Sequence, residues 1–208
     1  MPLSLSAIVL AHSVVADLFV NITIPERGVF FVKNGILPPS GASSNSDKLV
    51  DLSATLGRST VWNLVDKIPI KFDTFKPEGL VSLGEDRYVL STTEHIVETE
   101  RFANGAIING TDRTTGAGFG HLMVFEGIGN FIGDAVMNSR GAEEFHLDGS
   151  DYDGEYIWGT LAQYRPNTTA SLIKVYPKTL AAETLLHIPD HMGGVIHDVE
   201  TNNIYTLN

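Results

Sequence analysis

The run from Glu143 to Pro166, EEFHLDGSDYDGEYIWGTLAQYRP, continues directly into NTTASLIKVYPKTLAAETLLHI, and this stretch constrains the fold more than any other. A short strand ends near His146 and Asp148 at a Gly/Asp turn. A second runs from Glu155 to Leu161, an alternating one from Ala170 to Val175, and a shorter one from Glu183 to Ile188. Four short antiparallel strands separated by turn residues cannot cover both faces of the sheet they form. Repeating such a unit is the logic of a β-propeller blade.

The pattern recurs. Leu80 to Leu83, Tyr88 to Ser91, His121 to Phe125 and Asn130 to Val136 read as an earlier set of strands, interrupted over Glu94 to Thr115 by a charged, Gly/Asn-rich insertion. Three starts superpose: FKPEGLVSL at Phe75, EFHLDGSDY at Glu144 and PDHMGGVIHDV at Pro189. Gly149 and Gly194 lie 45 positions apart, a normal blade period. The third copy supplies only Val195 to Val199 and Ile204 to Leu207. Alternation over Val61 to Val65 and Ile68 to Phe72 predicts two further strands, and Asp17 to Val32 two short ones around Pro25 to Gly28. The expectation is an all-β chain: a partial β-propeller of about two to three blades from a six-bladed ring, over residues 49–208, with 1–48 a signal or irregular N-terminal extension. A small closed β sandwich is the alternative. An unclosed ring would expose an apolar blade face at each end, so missing blades or a partner surface are expected to cover it.

Charge narrows the partners. With 14 basic and 25 acidic residues the formal charge is -11, which disfavours nucleic acid and anionic membranes alike. No run of 18 apolar residues suits a membrane span. Cysteine is absent, which excludes disulfides and thiolate chemistry. Met1 to Ala16 has the apolar stretch and small residues of a cleaved signal without its basic start. Sequons at Asn21, Asn109 and Asn167 are the matching glycosylation candidates, so the expected location is secreted, with cytoplasmic the alternative.

The blade starts place Lys76, Glu78, His146, Asp148 and His191 along the expected central channel. Mixed carboxylate and imidazole donors suit a divalent metal, with Glu78, His146 and His191 as its candidate ligands. The same residues also suit a water-filled, hydrogen-bonded channel lining. Asp148, Asp151, Asp153 and Glu155 form a second oxygen-rich run, although no helices flank it as in the helix-loop-helix calcium motif. His197 and Asp198 are adjacent on a strand and so point to opposite faces. Gly116 to His121 is glycine-rich but precedes a strand, which argues against a phosphate cradle. Trp62, Tyr88, Trp158 and Tyr205 read as packing between blades, and Tyr152 and Tyr164 as the place to look for an interaction patch on outer loops.

Three blocks carry a resemblance: NGTDRTTGAGFGHLMVF from Asn109, DYDGEYIWGTLAQYRPNTTA from Asp151 and DHMGGVIHDVETNNIYTLN from Asp190. They resemble a fungal and bacterial family of uncharacterised, often secreted proteins read as six-bladed β-propellers. The resemblance covers about Val61 to Asn208 and implies that this chain is truncated. In that family the first blade starts His-Pro-Glu-Gly, where this chain has Lys76-Pro77-Glu78-Gly79; a protonated lysine cannot ligate a metal. A wider similarity to lactonase-like propellers implies a divalent ion polarising an ester carbonyl, and carries over to Glu78 alone. Two functions follow. The first is a propeller domain acting as a binding or structural scaffold with no established activity. The second is a metal-dependent hydrolase of lactone or ester type, inactive in a truncated form.

Overall fold

The computed structural model describes residues 29–31, 46–84 and 86–207. The expected signal segment, the strands before Val29, most of the expected linker and Asn21 lie outside them. Among the described residues are twelve strands, one α-helix and a short 3-10 turn. β1 (Val29–Phe31) precedes α1 (Ser46–Ala54), an exposed helix that the sequence did not suggest. Then come β2 (Lys76–Gly84), β3 (Arg87–Val97), β4 (Ala117–Glu126) and β5 (Phe131–Val136). A second group holds β6 (His146–Leu147), β7 (Asp151–Tyr152), β8 (Ile157–Ala162), β9 (Ala170–Val175) and β10 (Ala182–Ile188), and β11 (Val195–Asp198) and β12 (Asn203–Thr206) follow.

These strands make three separate antiparallel sheets. The first runs β1-β5-β4-β3-β2, the second β10-β9-β8-β6 with β7 also paired to β8, and the third is the β11-β12 hairpin. The partial propeller is thereby corrected: the sheets are open, and none curls or closes into a ring. The chain is also not purely β, because α1 interrupts it. With no ring there is no place from which blades are missing, so that expected partner is withdrawn as well. No helix among the described residues is long and apolar enough to cross a membrane.

The second sheet is covered on both faces over β8 and β9, while its edge strand β10 is largely exposed. Ile157, Leu161, Ile173 and Val175 pack with Val89, Leu122, Val124 and Ile132 of the first sheet. Trp158, Ala162, Ala170 and Leu172 pack with Met192 and Val195 on the other side. Every residue of β8 is therefore buried, and its apolar run shows no solvent-facing alternation. At roughly 25 cal/mol per Å² of apolar surface, this double burial makes β8 and β9 the energetic centre of the fold.

The alternating stretch from Val61 to Phe72 does not form strands. Its links to the first sheet are Lys71, whose amide donates to the Gly129 carbonyl, and Phe72, which meets Phe125 and Phe131. Trp62 and Val65 are left 78% and 95% exposed. Alternation alone does not make a strand, because pairing depends on packing against cross-strand neighbours. Tyr205 is likewise exposed, whereas Trp158 is buried between sheets.

Candidate metal centre

Glu78, His146 and Asp148 converge. Each offers one ligand atom, and those atoms lie within 4.8 Å of one another. His146 Nε2 is 3.4 Å from Glu78 Oε1, and His146 Nδ1 is 3.5 Å from Asp148 Oδ2. His191 stands at the edge of the group, its Nε2 4.0 Å from Asp148 Oδ2. Lys76 takes no place among the donors: its ammonium lies over the Tyr164 ring, 4.2 Å from the centroid.

Local folding explains each position. Phe145 and Leu147 are fully buried, so the period-two alternation of an extended chain turns His146 to the opposite side, against Tyr164. The Leu147 amide donates to Thr93 Oγ1 and fixes β6 against the first sheet. Asp148 follows on the same backbone, its amide donating to the Thr160 carbonyl. Glu78 sits where the β2-β3 register slips, between the pairs Pro77 with Thr92 and Gly79 with Ser91. A bulge there re-aims one side chain out of the ladder, and here that side chain meets His146.

Three glycines bring the sheets close enough for this. A Cβ on Gly79 would sit 2.7 Å from the Ser150 amide nitrogen and 3.1 Å from Gly149 Cα, and a Cβ on Gly149 would sit 3.3 Å from Gly194 Cα. The three superposed starts of the sequence thus touch through their glycines. His191 belongs to the third of them, in a loop anchored by buried Met192.

Electrostatics keep His146 neutral. Burial lowers its pKa below the ordinary value, and the neighbouring Asp148 and Glu78 carboxylates do not offset that. A neutral imidazole has one N–H, so it donates to one of the two flanking carboxylates while its bare nitrogen faces the other. His191 Nδ1 is buried and has no hydrogen-bond partner among the described residues. The donor set of two carboxylates and a neutral imidazole, with excess negative charge between them, fits a divalent cation.

The other sequence candidates go elsewhere. Asp153 caps its own turn by accepting from the Glu155 and Tyr156 amides, and it also accepts from Trp158 Nε1. His197 Nδ1 lies 2.7 Å from Asp153 Oδ2, and the Asp151 carboxylate accepts from the His197 amide. These contacts tie the third sheet to the second, and the acidic run does not gather around one point. Asp198 turns away from His197 and accepts from Thr201.

Sequence reading passed over Arg113, Gln163 and Arg165, and it placed Tyr164 on an outer patch. With Lys76, Glu78, His146 and His191 they line an open cavity of about 640 Å³. The signal was the QYR triplet after β8, which turns its side chains back beside β6. His95 was also missed. It is buried edge-on against Tyr164 and Phe145, and burial lowers its pKa.

Of the three expected glycosylation sites, Asn109 and Asn167 lie among the described residues, both in turns. Asn167 is a tight-turn residue with φ of 54° whose amide donates to the Gly110 carbonyl, and Asn109 is held at φ of 51° in the turn closed between Ile108 and Thr111.

No curated protein and no solved structure matches the chain, so the expected kinship with lactonase-like propellers is withdrawn. A family match does exist, and it begins at residue 36, well before the Val61 boundary expected from the sequence. Over residues 36–208 the chain matches DUF6454, described as a family of unknown function, and it belongs to that family.

Proposed function

We propose that the chain binds a divalent metal through Glu78, His146 and Asp148 and acts as a metal-dependent hydrolase of esters or lactones. The observation that carries this reading is the convergence of Glu78, His146 and Asp148, of which Glu78 and His146 line an open cavity. It replaces the scaffold reading, which rested on a propeller that the fold does not contain.

A divalent ion at this position would supply a Lewis acid that polarises a carbonyl and lowers the pKa of water. The protein supplies the rest. Glu78 and Asp148 provide the negative charge that holds the ion, and burial keeps the His146 nitrogens free of an extra proton. His191, 4.0 Å from Asp148 and on the cavity wall, is placed to accept a proton from an attacking water. Tyr164, packed on His146 with ring centroids 4.1 Å apart, fixes the imidazole plane and shields it from bulk water.

The test is hydrolysis of p-nitrophenyl acetate and of γ-butyrolactone by the full chain, supplied with zinc or manganese and then treated with EDTA. Activity should appear with metal, vanish with chelator and fall at least about a hundredfold in His146→Gln, the scale of a lost general catalytic or ligand group. Hydrolysis that is indifferent to EDTA and to His146→Gln would sink the reading.

A further inference from the structure

The cavity beside the metal centre carries cations that the centre itself does not use. The chain has only 14 basic residues against 25 acidic ones, yet three of the basic residues, Lys76, Arg113 and Arg165, line this one cavity. They come from separate parts of the fold and are held in place. Arg113 Nε and Nη2 donate to the Asp112 carboxylate at 2.7 and 3.0 Å. Arg165 Nε donates to Gln163 Oε1, and its Nη2 donates to Glu143 Oε2 at 3.3 Å. The loops bearing the two arginines are joined by the Asn167 amide donating to the Gly110 carbonyl. Lys76 makes no ion pair among the described residues and rests on Tyr164, the ring that also packs on His146. Two carboxylates, Glu78 and Asp190, line the same cavity.

Each arginine thus keeps part of its guanidinium uncommitted while its orientation is fixed, the preorganised state that suits a planar or tetrahedral oxyanion. The Lys76 ammonium adds a third positive charge to the same cavity. We propose that Arg113, Arg165 and Lys76 form an oxyanion subsite that anchors a carboxylate or phosphate group of a small molecule in the cavity. Its assignment as a substrate group, with the scissile bond at Glu78, His146 and Asp148, rests on the hydrolase reading; the subsite itself does not.

The experiment is calorimetric titration of the full chain, stripped of metal with EDTA and then dialysed free of it, at low salt, by sodium glutarate and separately by inorganic phosphate. One of the two should bind one to one, glutarate indicating a carboxylate and phosphate a phosphoryl group. Arg113→Gln, Arg165→Gln and Lys76→Gln should each weaken that binding about tenfold or more, as expected for losing one charge-assisted hydrogen bond. Near-UV circular dichroism checks that each variant is folded, and Lys76→Gln, at an exposed strand start, keeps the test informative where an arginine variant is not. Binding equal in wild type and in Lys76→Gln, or no binding of either anion by folded wild type, overturns the subsite. Manganese titration of the same samples separates the two readings. Anion binding without manganese binding supports the subsite and ends the hydrolase reading, whereas manganese binding without anion binding overturns the subsite alone.

Discussion

Two histidines in similar company take opposite charge states. His146 has carboxylates on both ring nitrogens at 3.4 and 3.5 Å, and burial prevails, which lowers its pKa. His121 is also buried, which by itself would lower its pKa. Its 2.8 Å bond to Asp134 and the nearby Glu94 outweigh that and raise the pKa to about 9. The difference is distance: the shorter bond gives the imidazolium a charge-assisted partner that compensates its lost hydration. His121 is therefore a structural cation, and Phe75, with a ring centroid 5.1 Å away, covers it. Because its folded pKa of about 9 exceeds the ordinary 6.5, its contribution to stability is complete below about pH 6.5 and is lost as pH rises through about 9. The melting temperature should fall between pH 7 and pH 9.5, and the fall should be absent in His121→Gln. That variant should lose about 3 kcal/mol at pH 7 in urea unfolding, because Asp134 and Glu94 then lack their counter-charge.

At the scale of the element, the site depends on backbone proximity as much as on its donors. β2 carries Glu78 and reaches the second sheet because Gly79 has no Cβ to strike Ser150 and Gly149. Gly79→Ala should cost about 1 to 3 kcal/mol from the enforced separation and should weaken manganese binding although no ligand is changed. A loss of stability with unaltered manganese affinity would show that the β2 position does not control the site. Gly118 is tighter still, since a Cβ there would lie 2.2 Å from the Glu94 carbonyl and 2.6 Å from the Phe145 ring. Here the sequence was partly legible. Alternation and turn residues located β8 and β9 closely, and the matched starts at Phe75, Glu144 and Pro189 meet through their glycines, but Glu78 lies within a strand, His146 opens one and His191 lies in a loop. The bulge at Glu78 was not legible, because a register slip depends on the partner strand and leaves no local pattern. The length of β3 was also hidden: its end, Glu94 to Val97, looks like an insertion until β4 pairs with it.

For the molecule as a whole, the sheets are held by two cores on either side of the second sheet, and by polar ties between its turns and the third. Trp158 joins both kinds of contact, packing near Met192 and Val195 while its indole donates to Asp153, which also holds His197. Trp158→Ala should destabilise by about 3 to 5 kcal/mol and should release the β11-β12 hairpin first, visible as faster amide exchange there than in β8 and β9. From β2 onward every strand but β7 was readable from alternation and turn chemistry, but the stretch Val61 to Phe72 was misread as strands and closure was not legible. Whether stacked sheets form a ring depends on the angle between them and on how many there are, and neither quantity is written in the alternation of any one strand. The cavity was illegible for the same reason: Lys76, Arg113 and Arg165 are far apart in sequence and become neighbours through the stacking. The central claim is that Glu78, His146 and Asp148 are one metal site. Equilibrium dialysis of the full chain against manganese, with elemental analysis, tests it most directly. About one ion per wild-type chain, and a large loss in folded His146→Gln, is the predicted result; a folded wild-type chain that retains no manganese and no zinc would contradict it.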